Sequence, residues 1–173
     1  MDRSGRIRTE GIQPARVARV GLLLAAAWFL WFAVPAGGVS DGAGNVCRPT
    51  KSDIEGPFYK PGAPRTSTTG SGITVQGRLL GAPDCRPLDG GRVEWWQTNR
   101  QGRYDDSHRG SQAVGPEGTY RFSTDYPGAY PGRPPHIHFK AFAPGYRPLT
   151  TQLYLRGGGE AEVAFDIVLI PDR

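Results

Sequence analysis

The sequence predicts an all-β fold: an antiparallel β-sandwich of two sheets, with few or no helices outside its first residues. Three observations carry this. The 173 residues include 25 glycines and 16 prolines, which favour turns over long helices. Short runs rich in β-branched and aromatic residues alternate in polarity, the period of a half-buried strand. No segment has the spacing of a long amphipathic helix, and no internal repeat is visible.

Taken in order, Ile73 to Leu80 alternates and is broken by Gly81, Ala82, Pro83 and Asp84. Gly91 to Thr98 is a second strand, with Val93, Trp95 and Gln97 on one face and Glu94 and Trp96 on the other. Only one of the two tryptophans is therefore expected deep in a core. Asn99 to Gly102 is a turn signal. The polar stretch Asp105 to Gly110 reads as a loop, with His108 solvated. Gly118 to Thr124, His136 to Phe142, Thr150 to Leu155 and Ala164 to Ile170 complete six strands. Upstream, Glu55 to Tyr59 reads as an extended segment and 61–72 as loop. Tyr59 is expected to line a pocket and Tyr120 to pack within the sheet.

The organisation expected is a leader over 1–36, a linker over 37–52 and one domain over 53–173. Formal net charge is +5, but the leader holds five arginines and two acids, which leaves 16 basic and 14 acidic residues after it. No basic stripe interleaved with aromatics appears, so nucleic acid is not an expected partner. Arg16 and Arg19 precede an uncharged apolar run from Val20 to Val34, followed by Pro35 and Ala36 at a small-residue exit. These are the parts of a secretory signal. The uncharged stretch of residues 20–40 is also just long enough to anchor the chain in a bilayer. Both readings export the protein to the outside or to the cell surface, and the membrane is met only through the leader if it stays uncleaved. The two cysteines, Cys47 and Cys85, lie beyond the leader. In an oxidising compartment an even count suggests one disulfide, tying the N-terminal extension to the loop after the first strand. Two unpaired thiols are the alternative.

The chemistry-bearing segment is Arg133 to Phe139, with Tyr130 just upstream. His136 and His138 are two of only three histidines, and on a strand they share a face. Two imidazoles on one face can grip a metal ion, and phenolates from Tyr130 and Tyr104 can add hard oxygen ligands. Such a mixed set suits iron better than a thiolate-rich structural zinc site does. Alone, a His-x-His pair is often only a strand with two histidines, and single tyrosines are usually packing residues.

From Glu55 to Leu155 the chain resembles the intradiol ring-cleavage dioxygenases, relatives of protocatechuate 3,4-dioxygenase and catechol 1,2-dioxygenase. The matching segments are Glu55–Tyr59, Val93–Gln97 through Gly102–Tyr104, Gly118–Thr124, Pro127–Pro131, Arg133–Phe139 and Leu149–Tyr154, in the family's order. The resemblance implies a transthyretin-like sandwich holding mononuclear non-haem Fe(III), with O2 as co-substrate. It implies Tyr104, Tyr130, His136 and His138 as metal ligands, with Tyr130 and His138 axial and Tyr104 and His136 equatorial. It implies a catalytic group of Tyr130, Arg133 and Gln152. Tyr130 would accept a proton from the substrate, and Arg133, near Gln152, would stabilise negative charge developing in the reaction. The expected activity is opening of a small aromatic diol between its two hydroxyl-bearing carbons, giving a cis,cis-muconate-type diacid. Two departures stand out. Only five residues separate Tyr130 from His136, a short pocket loop, and no counterpart of the helical N-terminal region of catechol dioxygenases is expected. The resemblance is to a short, exported branch. Catechol, protocatechuate, hydroxyquinol and larger lignin-derived aromatics all remain open as substrates, as does oligomeric state. A non-catalytic transthyretin-like binding module at the cell surface is the competing reading, because fold alone does not give function.

Overall fold

The computed structural model describes residues 47–157, 159 and 161–173. The expected leader, and the linker up to residue 46, lie outside the described residues. Residues 41–173 belong to one compact unit. Ten strands form two sheets, and no α-helix occurs among the described residues.

One sheet is built on β2 (Ile73–Gly81). Its first half pairs antiparallel with β6 (Thr119–Thr124) and, on its other edge, in parallel with β9 (Glu162–Ala164). Its last residues pair with β3 (Arg86–Pro87) and, in parallel, with β10 (Ile167–Leu169). The two-residue β1 (Thr68–Thr69) flanks β6 in parallel. The second sheet is antiparallel throughout, in the order β5 (Tyr104–Ala113), β4 (Arg92–Thr98), β7 (His136–Phe142), β8 (Leu149–Tyr154). A single 3-10 turn, Pro116–Gly118, leads into β6.

The core lies between the sheets. Val75, Leu79, Tyr120, Phe122 and Ile167 come from one side, and Val93, Trp95, Ile137, Phe139, Ala141 and Leu153 from the other. Trp95 stacks on Phe122 with ring centroids 3.9 Å apart. Tyr120 packs in the sheet as expected, with its hydroxyl donating to the Phe165 carbonyl.

Two expectations change. The stretch Asp105–Gly110 is not a loop but part of β5. His108 is buried rather than solvated, because Asp105 and Asp125 take both of its ring nitrogens. Of the two tryptophans only Trp95 joins the core between the sheets, as expected, although Trp96 is buried too. It lies on the outer face of its sheet, and Tyr59 from the extended N-terminal segment covers it at a ring distance of 4.9 Å.

That segment is a strap. Cys47 is joined to Cys85 by a disulfide, the pairing the even cysteine count suggests. Residues 47–52, read from sequence as the end of a linker, run along the domain. Cys47 N donates to Pro83 O, Thr50 N to Val168 O and Asp53 N to Thr150 O. Beyond them, Glu55 pairs with Lys140 and the Tyr59 hydroxyl donates to Glu94 Oε2 at 3.0 Å. The strap thus roofs the polar face of the four-stranded sheet.

Candidate metal centre

β7 alternates strictly. Ile137, Phe139 and Ala141 enter the core, while His136 and His138 point to the outer face, each only 3% exposed. Antiparallel register sets His138 between Trp96 on β4 and Gln152 on β8, and His136 opposite Tyr154. Trp96 stacks on the His138 ring at 4.8 Å, nearly coplanar. His136 is turned by its own backbone, with Nδ1 donating to Pro134 O at 2.7 Å. That bond leaves Nε2 of the neutral ring as a bare lone pair.

Tyr104 arrives from β5 through an irregularity in the ladder. Between the pairs Trp96–Arg109 and Thr98–Tyr104, β5 advances five residues while β4 advances two. The excess holds Asp105 to His108, where the Asp105 carboxylate accepts from the backbone N–H groups of Ser107 and His108. The bulge re-aims the strand and starts it with Tyr104 over the histidines. The Tyr104 hydroxyl lies 2.9 Å from His138 Nε2 and 3.3 Å from His136 Nε2, and the two Nε2 atoms are 3.1 Å apart.

Tyr130 sits on the connection between β6 and β7. That connection is pinned to the Asn99–Gly102 turn by Gly128 N donating to Asn99 O and by Thr98 Oγ1 donating to Gly128 O at 2.7 Å. A Cβ on Gly128 would meet Arg100 O and Gly102 N at 2.5 Å, and one on Gly102 would meet Ala129 O at the same distance. The two loops approach closely because both residues are glycine. The approach places the Tyr130 ring 6.0 Å from that of Tyr104 and 5.8 Å from that of His136.

Arg133 and Gln152 also meet here. Arg133 Nη2 donates to Gln152 Oε1 and to the Tyr154 hydroxyl, while Gln152 Nε2 donates to Ile54 O on the strap. Tyr154 in turn donates to Asp53 Oδ2 at 2.9 Å. All six residues singled out from sequence therefore converge on one face. Sequence reasoning left out Trp96, Tyr154 and Asp53. Tyr154 carried a signal, since it lies two residues from Gln152 on the same strand and shares its face.

Burial pushes the His138 pKa down to about 3, with the neighbouring His136 and Arg133 adding to the effect. Burial also lowers His136. Burial, and then the hydrogen bond and charge of Tyr130, push Tyr104 upward. The centre therefore offers two neutral imidazoles with Nε2 atoms facing a phenol. Among the described residues no three His, Cys, Asp or Glu side chains gather to hold a metal. A cation held here would draw instead on two imidazoles and two tyrosines. This donor set fits a hard, highly charged ion, which would stabilise phenolate over phenol and satisfy the Nε2 lone pair of His136.

The chain is similar to several known proteins. A family model described as Dioxygenase matches residues 54–170. The chain is 32% identical over 142 residues to 6-chlorohydroxyquinol 1,2-dioxygenase of Cupriavidus pinatubonensis, covering 62% of this chain and 51% of that protein. It is 31% identical over 139 residues to chlorocatechol 1,2-dioxygenase of the same organism, covering 61% and 54%. The chain thus spans about half the length of these curated relatives. Among solved structures, one similar chain is the dioxygenase domain of a dioxygenase carbohydrate-binding protein fusion from Streptomyces sp. SirexAA-E. The identity is 35% and the TM-score 0.65, over 72% of this chain and 100% of that one. An intradiol ring-cleavage dioxygenase from Tetranychus urticae is 28% identical with a TM-score of 0.58, over 62% of this chain and 65% of that one.

Proposed function

Because this chain belongs to the intradiol ring-cleavage dioxygenase family, we propose that it is an exported ferric dioxygenase that opens catechol-type rings between their two hydroxyl-bearing carbons. The observation that carries the proposal is the convergence of His136 Nε2, His138 Nε2 and the Tyr104 hydroxyl within 3.3 Å of one another, with Tyr130 at the edge. Tyr104, Tyr130, His136 and His138 would hold mononuclear Fe(III), which, when bound, would supply a Lewis acid that a catecholate can chelate and that activates it toward O2.

The four ligands divide by how firmly they are held. His136 is fixed by Pro134, His138 by the Trp96 ring, and Tyr104 by burial behind the β5 bulge. Tyr130 lies on a short loop whose local tie is the Arg133 N–H to Tyr130 O bond of a tight turn. Of the four, its side chain would have most freedom to move and to take a substrate proton at its hydroxyl oxygen. Arg133 places its guanidinium beside the histidines, anchored by Gln152, where it would meet negative charge on an ionised diol. Trp96, Tyr59 and the strap exclude water from the rear of the centre. Export is supported by the arginine-led apolar leader and by the Cys47–Cys85 pair.

The test is the visible spectrum of the purified, iron-loaded protein before and after anaerobic catechol, followed by oxygen uptake. Phenolate-to-iron charge transfer that shifts on adding catechol, and its loss in Tyr104→Phe, is the expected result. A protein that stays colourless after ferric loading overturns the reading.

A further inference from the structure

Beside the metal centre lies a cleft of about 320 Å³ lined by Phe58, Gly102, Arg103, Tyr104 and Tyr130. Its walls are three aromatic rings. Phe58 stacks on Tyr104 with centroids 4.2 Å apart, yet remains 48% exposed. The cleft shares Tyr104 and Tyr130 with the metal centre, so a ring held there has the cleft within the length of one side chain.

The charges around it are asymmetric. Arg103 makes no ion pair with any described residue. The nearby acids are already engaged: Asp105 by Asn99, Ser107 and His108, and Asp106 by Lys60 and Arg109. Across the centre, the Tyr154 hydroxyl is bonded to the Asp53 carboxylate, and Arg133 is occupied by Gln152 and Tyr154. Arg133 and Asp53 offset each other across the centre, whereas the Arg103 charge is offset by no ion pair among the described residues, so an anionic substituent is attracted most on the Arg103 side.

We infer that this cleft is a specificity subsite, and that the substrate is a catechol whose ring carries a short chain ending in a carboxylate. The chain packs against Phe58 and Tyr130, and the carboxylate meets the Arg103 guanidinium. The inference rests on the proposed ring-cleaving activity and deepens it. Arg103 is a specificity determinant that does not touch the reacting atoms.

The test compares 3-(3,4-dihydroxyphenyl)propanoate with its uncharged methylamide on the full-length, iron-loaded protein. The kcat/KM ratio of acid to amide is expected to be about 5 to 10, as for a partly exposed charge-assisted bond, and to shrink as salt is raised. Arg103→Gln should bring it to within about twofold of one. Arg147→Gln, whose native partner is Asp172, should leave the ratio as in the wild type. A parallel arm needs no metal. Tryptophan fluorescence of the metal-free protein should report a Kd for 3-phenylpropanoate that weakens about fivefold in Arg103→Gln. A wild-type ratio near one, a ratio unchanged by Arg103→Gln, or fluorescence binding indifferent to Arg103 overturns the subsite. Failure to consume oxygen with plain catechol overturns the ring-cleaving activity instead, and the fluorescence arm then decides the subsite alone.

Discussion

The two faces of the four-stranded sheet are nearly equally buried and do opposite work. Inward, β7 presents Ile137, Phe139 and Ala141, all fully covered by the other sheet. Outward, the same strand presents His136 and His138, each 3% exposed, and Lys140 beside Glu55. The inner face is buried by apolar packing, which is non-directional and proportional to area. The outer face is buried by a strap, and its polar groups are held one bond at a time: Tyr59 to Glu94, Gln152 to Ile54, Arg133 to Gln152. A period of two lets one strand serve both ends, with fold on one pleat and chemistry on the other.

The comparison predicts opposite outcomes for adjacent residues. Phe139→Ala should cost about 3–5 kcal/mol of stability, the usual range for a truncated core aromatic, read as a lower denaturant midpoint at constant slope. His138→Ala should cost far less stability in the metal-free protein but abolish ferric charge transfer and oxygen uptake. If His138→Ala destabilises as much as Phe139→Ala, the division of labour between the faces is wrong.

The next largest effect lies where the outer face depends on backbone approach. Gly128→Ala forces a Cβ to within 2.5 Å of Arg100 O and Gly102 N, so the Tyr130 loop must back away from the Asn99–Gly102 turn. We expect a stability loss of about 1–3 kcal/mol, as for overpacking, together with altered phenolate charge transfer. An unchanged spectrum would show that Tyr130 is placed by something other than this contact.

The strap should be softer still. Glu94 is buried with Arg92 and the Tyr59 hydroxyl as partners. Burial, then the bond and charge of Glu94, raise the Tyr59 pKa to about 12, so it remains a donor across the working range. Tyr59→Phe removes that donor and should cost about 1–2 kcal/mol, with protease sensitivity appearing first within 47–60. Equal sensitivity across the whole chain would mean that the strap does not open on its own.

The two faces were not equally legible in the sequence. The inner face follows from alternation at Ile73 to Leu80, Val93 to Gln97 and Ile137 to Ala141. The ligand positions on the outer face follow from the His136–His138 spacing and from the family resemblance that brings in Tyr104, Tyr130, Arg133 and Gln152. What escaped was anything depending on the strap or on polar pairing. Trp96 reads only as lying on the face opposite Trp95, and its burial shows once Tyr59 is laid over it. The run from Asp105 to Gly110 reads as loop because its inward group is His108, a side chain that can be buried only when two carboxylates from different segments meet it. The sequence separates Asp105 from Asp125 and gives no sign that they converge.

That pairing gives the smallest effect and the finest test of how the outer face is held. Burial alone would lower the His108 pKa, but bonds and charge from Asp105 and Asp125 outweigh it and raise it above the ordinary 6.5. Arg100, bonded to Asp125, and the backbone N–H of Ser71 keep that carboxylate low at about 2. A raised histidine contributes stability that is fully present below the unfolded value and is lost as pH rises through the folded value. Asp105 and Asp125, both lowered, contribute above the ordinary carboxylate value and lose that contribution only as pH falls through their folded values. His136 and His138, both lowered, act in the opposite sense in the metal-free protein, so the contribution of His108 is read as the stability difference between wild type and His108→Asn, which should decline on the alkaline side of about pH 6.5. That difference should be on the order of 1 kcal/mol at pH 6, the worth of a charge-assisted bond partly open to solvent. A difference flat from pH 6 to 9, measured by urea unfolding on the metal-free proteins, would mean that the cluster holds β5 by neutral hydrogen bonds alone. The outer face would then owe its burial to the strap rather than to charge.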